Sequence, residues 1–349
     1  MGSQDQTRAR SPYIVSAAYD WVFFLAPPLA ALWLGAMLGL GDVGRDVFTW
    51  WGQDVSVESI ALGVFIHAHL VIVFWRSHGN GDVRRAFKWR MLLAPLLLFV
   101  GMTVSVWVAV CASVLATFWD VYHSGAQTFG FARIYEVRAG NDPLAGRRRD
   151  YWINQVLYAG PIVAGATMLD HFRDFEEFEV LGAAFFTEIP AKMESNQVYF
   201  TWTILGIGLL MLVDYVWASW RDHRAGKTVP WQKVWLLTST GLVSIYAWGF
   251  NPWGEAFLIM NAFHALQYFG IVWATERGNM ERSLRMHEVQ GGRVLTWMAF
   301  VFGAMLYGLA VEAWGATVWW FWRVTIVVSL MHFWYDGFIW SVRKTTTTS

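Results

Sequence analysis

One cysteine, Cys111, stands alone in an apolar run, which excludes an intrachain disulfide and any site built from several thiolates of this chain. Charge is scarce as well: 15% of the 349 residues are charged, and Lys and Arg balance Asp and Glu at 26 each. The basic residues are scattered through short connections, so no basic patch exists to recruit nucleic acid, and no nucleic-acid partner is expected. A cleavable leader pattern is also missing: residues 1–19 are polar, and the first apolar stretch reads as a retained helix. What is present in quantity is apolar surface. Hydrophobic residues make up 56% of the chain, with 24 Trp and 25 Phe, a composition suited to lipid as solvent.

A helix that crosses about 30 Å of hydrocarbon needs roughly 20 mostly apolar residues. Ten such runs are present, at 21–40, 59–75, 91–107, 110–137, 151–169, 198–220, 231–250, 255–275, 294–312 and 317–342. The third and fourth lack a charged break before Asp120, but the length of 91–137 demands two crossings and a tight turn. The fold class expected is all-α: a polytopic membrane helix bundle of about ten transmembrane helices, forming one domain over residues 1–344. The acidic segment 170–196 is expected as an extracytoplasmic cap, and 345–349, "TTTTS", as a disordered tail.

Positive residues accumulate in short cytoplasmic loops. With the amino terminus inside, and Arg133 and Lys233 counted with the inner ends, the inner segments hold 22 Lys and Arg and the outer ones 3, Arg323 lying within the last helix. Both termini are therefore expected in the cytoplasm, and the protein in a cell membrane, plasma or inner.

Ionisable side chains inside a bilayer cost on the order of 2.5–3.5 kcal/mol at a helix centre, so each needs a reason. His67 and His69 fall in the second run, His123 in the fourth, His264 in the eighth and His332 in the tenth, all running from outside to inside. They lie 9 to 13 residues before the arginines Arg76, Arg133, Arg277 and Arg343, counting from His67 in the second run. At about 1.5 Å per residue this is one layer, roughly 14–20 Å deep. Polar partners follow at three- and four-residue spacing: Asp120 and Gln127 around His123, Asn261, Gln267 and Tyr268 around His264, and Tyr335 and Asp336 after His332. His67 and His69 are about 200° apart on a regular helix, so the sequence leaves open which of them faces the layer. Gly130, Gly270 and Gly337, each beyond a histidine in a faintly repeated pattern, are expected to let helices approach closely.

A lone histidine in a membrane helix is usually a packing hydrogen-bond donor. Four helices with imidazoles at one depth, joined by Asp120 and Asp336, are poorly served by that explanation. Asp214 reads as an interfacial anchor and Arg323 as cation–π packing among Trp rings, while His78, His171, His223 and His287 read as surface groups. Imidazole and carboxylate without thiolate suit iron, copper, zinc or manganese, and many histidines with one or two Asp are the ligand menu of non-haem iron. His67, His69, His123, His264, His332, Asp120 and Asp336 are thus the candidate metal ligands. Gln127, Asn261 and Gln267 are the residues expected to brace the cofactor by fixing ring tautomers. Tyr268 and Tyr335 are the candidate catalytic side chains.

With its polytopic architecture and the intramembrane His67, His69, His123, His264 and His332, the chain resembles the integral-membrane multi-histidine oxygenases. These are the lipid desaturase and hydroxylase group and the membrane carotene oxygenases. The resemblance implies one or two non-haem iron ions acting on a lipid-soluble substrate, with membrane lipids and an electron donor as partners. The chain departs from the desaturase pattern in having no His-x-x-His-His box and in placing its histidines inside helices. Two other classes remain open: a haem-binding electron carrier with paired axial histidines, and a cation or proton transporter. For the transporter the usual broken helices are faint, Pro95 and Pro161 being the clear kinks beyond the first helix.

Overall fold

A computed structural model describes residues 11–40, 47–50, 53–164, 195–251, 253–315 and 317–340. The expected cap, apart from its last two residues, and the expected tail lie outside the described residues. Among those described, helix occupies each of the ten apolar runs.

The chain enters through a short helix α1 (Ala17–Asp20), a π-helical turn (Trp21–Leu25) and α2 (Pro27–Leu40), bent by 44° at the join. The bend has a covalent cause. Pro28 has no N–H to offer the Phe24 carbonyl one turn back. That oxygen instead accepts from the Gln267 side chain at 2.9 Å, and the Leu25 carbonyl accepts from Trp235 Nε1 at 2.8 Å. A two-stranded antiparallel hairpin follows, β1 (Val47–Trp50) and β2 (Gln53–Ser56), paired from Val47 with Ser56 to Trp50 with Gln53. Ser56 then caps α3 (Val57–Val71) through a reciprocal bond with Ser59, and α4 (Val73–Arg76) continues the same path.

The stretch 91–137, uncharged before Asp120, is indeed split into two helices, α5 (Gly81–Val104) and α6 (Val106–Arg138). A single extended residue, Ser105, separates them, its hydroxyl capping the Val108 N–H. The remaining α-helices among the described residues are α7 (Arg147–Ala164), α8 (Gln197–Arg224), α9 (Trp231–Phe250), α10 (Trp253–Ser283), α11 (Gly292–Trp314) and α12 (Trp319–Ile339).

Among the described residues, six helical segments are long and apolar enough to cross a membrane: Ser59–Arg76, α5, α6, α8, Glu255–Ser283 and α11, with a seventh if the bent α1–α2 pair is one span. α7, α9 and α12 fall below that measure, α7 because Arg147, Arg148, Arg149 and Asp150 fill its first turn. α10 is the central helix, buried along 78% of its apolar window and packed on α2, α3, α9 and α11. α8 is the opposite case: packed on α7 at the rim, it buries only Ala218 and turns Leu209, Leu210, Val213 and Trp217 outward. So continuous an apolar exterior needs lipid around it.

The end of the bundle rich in Lys and Arg is tied by buried charge. Arg133 pairs with Asp150, and Lys233 reaches Glu136 at 2.6 Å and Asp150 at 3.4 Å, all four being buried. Arg76 on α4 similarly meets the fully buried Glu276 of α10.

Candidate metal centre

His69 on α3, His123 on α6, His264 on α10 and His332 on α12 converge in the middle of the bundle, each no more than 5% exposed. Their rings form a closed quadrilateral. The centroid separations are 5.0 Å from His69 to His264, 5.0 Å from His264 to His123, 4.8 Å from His123 to His332 and 5.2 Å from His332 to His69. Neighbouring rings stand edge to face, with interplanar angles from 74° to 89°. A metal–nitrogen bond of about 2.1 Å puts an imidazole centroid about 3.2 Å from the ion, and a 5 Å square puts its corners about 3.5 Å from the centre. The space enclosed is therefore of the right size for one ion.

The hydrogen bonds orient two of the rings. His332 Nδ1 lies 3.0 Å from the Leu70 carbonyl, in the last turn of α3 where carbonyls lack a helical partner. With that nitrogen donating, Nε2 is left bare, 3.0 Å from His123 Nε2. Asp336, one turn beyond His332, anchors Oδ1 with bonds from the Tyr268 hydroxyl at 2.8 Å and Trp340 Nε1 at 2.9 Å. Its Oδ2 lies 3.7 Å from His123 Nε2 and 3.9 Å from His332 Nε2. Two triads have donor atoms close enough to share an ion: His69, His264 and His332, and His123, His332 and Asp336. His332 belongs to both, which fuses them into one centre.

The other two rings have no partner. Neither nitrogen of His69 or of His264 makes a hydrogen bond; the Ile66 carbonyl, one turn back from His69, lies nearby without bonding geometry. A buried polar group left unsatisfied costs about 1–3 kcal/mol. Two fully buried imidazoles without a hydrogen bond, standing side by side at the centre of a protein, each offer one ring nitrogen to an ion.

The other expected site residues are placed differently. α3 is regular through Val71, so only one of its histidines faces inward. His67 turns away, its Nδ1 2.9 Å from Glu312 Oε1 and 2.9 Å from the Gly63 carbonyl. Asp120 sits one turn before His123 and accepts from Asn261 at 2.8 Å, outside both triads. Gln127 bonds the His264 carbonyl at 3.2 Å and Gln267 at 3.3 Å, while Gln267 serves the proline bend. Gln127, Asn261 and Gln267 thus tie helices together, and none of them bonds an imidazole nitrogen. Tyr335 points to α5, donating to the Met91 carbonyl at 3.2 Å. His78, expected at the surface, is half-buried and stacked on Phe74, and burial pulls its pKa down. Asp214 pairs with Arg149 at 2.7 Å, and Arg323 lies over Trp319 and donates to the Met102 carbonyl. His171 lies outside the described residues.

Trp340 and Glu312 were not anticipated. Trp340 stands four residues after Asp336, a spacing that marks them as neighbours on one helical face; Glu312 had no such signal, since its partner is on another helix.

Two cavities flank the centre. One, of about 380 Å³, has His123 and Asp336 in its wall and is otherwise lined chiefly by aromatic and aliphatic side chains such as Trp119, Phe131, Ile134 and Trp334. Gly130 and Gly337 also line it, and a Cβ on either would meet no atom within 4 Å. Gly270 alone of the three glycines makes the expected close approach, against Phe23. The second cavity, of about 360 Å³, reaches His69 and carries His67, Asp120, Asn261 and Glu312. Comparison with protein-family models, with curated proteins and with solved structures finds no match to this chain.

Proposed function

We propose that the protein is a membrane-embedded, metal-dependent oxidoreductase, with a single non-haem iron ion held by His69, His123, His264 and His332 and acting on a lipid-soluble substrate. The observation that carries this reading is the pair of fully buried imidazoles, His69 and His264, with all four nitrogens unpartnered inside a ring of histidines. A thiolate-free imidazole and carboxylate set suits iron or another first-row ion. One ion accounts for the set better than two, because His332 has only Nε2 to give. Asp336, held by Tyr268 and Trp340, supplies the carboxylate oxygen beside the ion, and Tyr268 acts by fixing that carboxylate.

The aromatic cavity supports the choice of substrate. Its walls are mostly aromatic and aliphatic, His123 and Asp336 stand among them, and two glycines leave room in it, which suits an aliphatic or polyene chain partitioning from the membrane lipids. Bound iron supplies dioxygen activation, and a separate electron donor supplies the reducing equivalents. Ten crossings, both termini in the cytoplasm and a plasma or inner membrane location complete the proposal; the distribution of Lys and Arg supports the orientation.

The competing classes fit less well. A haem with two axial histidines needs the macrocycle between and around its ligands, and rings about 5 Å apart on every side leave no slot for it. A cation transporter needs polar walls on both sides of the centre, whereas the Asp336 side is aromatic. Alanine at each of the four histidines, with iron counted per folded chain, tests the assignment: loss of iron in all four is expected, and retention in all four would overturn it.

A further inference from the structure

A centre this deep needs a way in for its metal, and the second cavity has the chemistry of one. Its burial is graded. At the mouth, Glu312 and His67 keep 21% and 28% of their side chains exposed and lie 2.9 Å apart. Further in come Asp120, 5% exposed, and Asn261, 2% exposed, joined by one bond of 2.8 Å. At the inner end is His69, fully buried and a member of the quadrilateral. Asp120 Oδ1 and Asn261 Oδ1, both buried in the wall, have no hydrogen-bond partner. Thr117 lines the passage one turn before Asp120.

We infer that this cavity is the loading route of the centre, in which a divalent transition-metal cation is taken up at Glu312 and His67, passed to Asp120 and Asn261, and delivered to His69. A hydrated divalent ion cannot cross apolar packing without oxygen or nitrogen donors to replace its water, and the other cavity, whose lining is mostly aromatic and aliphatic, carries a carboxylate only at Asp336, a residue of the centre itself. The polar cavity provides donors in steps: a carboxylate with an imidazole, then a carboxylate oxygen with an amide oxygen, then the imidazole of the centre. The two intermediate stations have few donors, so they bind weakly and release the ion inward, while the centre holds it. No electron or covalent bond changes hands along the route.

This inference rests on the metal-centre reading, and rate and end-point separate the two. Apoprotein in detergent is mixed anaerobically with Fe²⁺ or with Co²⁺, uptake is followed in time, and bound metal is counted at equilibrium. Glu312→Gln, Asp120→Asn and Thr117→Phe, the last narrowing the passage without removing a donor, are each expected to slow loading at least tenfold and to reach the wild-type stoichiometry. Gly130→Leu, which narrows the aromatic cavity, is expected to load at the wild-type rate. Wild-type rates in the three route variants, or slow loading in Gly130→Leu alone, would overturn the route and leave the centre standing. Loss of stoichiometry in Asp120→Asn would make Asp120 a permanent ligand and overturn its role as a station. A wild-type protein that binds neither ion at equilibrium would overturn the centre itself.

Discussion

Two histidines two residues apart on α3 have opposite fates: His69 enters the centre and His67 pairs with Glu312. The sequence contained the angle between them but not the direction of the bundle axis, so it could not choose. Removing them should separate their roles. His69→Ala is expected to lose bound iron, and His67→Ala to retain it at equilibrium, as read by metal analysis of the two purified proteins. Tyr335 shows the same limit, since a residue three positions after His332 can face the site or flank it, and here its hydroxyl goes to Met91. Tyr268 faces inward, and Tyr268→Phe, by freeing Asp336 Oδ1 from one of its two donors, should weaken iron binding about 10–100-fold, measured by competition with a chelator. Gly130 and Gly337 were expected to let helices approach closely, and instead each borders open space in the aromatic cavity. Leucine at either position should fill the aromatic cavity and abolish retention of co-purified lipid, seen by mass spectrometry, with the iron content unchanged.

At the level of helices the sequence was most informative. All ten apolar runs are helical among the described residues, because a long apolar run offers its backbone no partners other than its own. The break that had to exist between residues 91 and 137 falls at Ser105, a good capping residue in a stretch without charge before Asp120. The hairpin at Val47–Ser56 was not foreseen: its strands are four residues each, too short for alternation to show. Side-chain ties between helices were also hidden, since they join residues remote in sequence. Asp150 is the clearest of these, compensating both Arg133 and Lys233 where α6, α7 and α9 meet. Asp150→Ala leaves two buried cations facing one carboxylate and is expected to cost about 3–5 kcal/mol, measured by reversible unfolding in mixed detergent micelles. The exposed pair Arg149 and Asp214 offers a control, because Asp214→Ala there should cost no more than about 1 kcal/mol.

Over the whole molecule, four helices from distant parts of the chain each bring one imidazole to a common point. The common layer was readable from depth, three of the histidines standing 10 to 13 residues before an arginine at the same end of the bundle, whereas the choice of His69 over His67 for the fourth ring was not. The closed ring, with its shared His332 and its two unpartnered members, required the packing of α3, α6, α10 and α12. An ion in that position would bind the folded chain and not the unfolded one, so a chelator should lower the unfolding temperature and iron should restore it. At a free concentration one hundred times the dissociation constant the gain is about 2.7 kcal/mol. The most direct measurement is metal analysis with a visible spectrum on one detergent-purified sample of the full chain. One iron per chain without a haem Soret band is the predicted result. A Soret band, or a protein that stays metal-free after anaerobic incubation with iron, would contradict it.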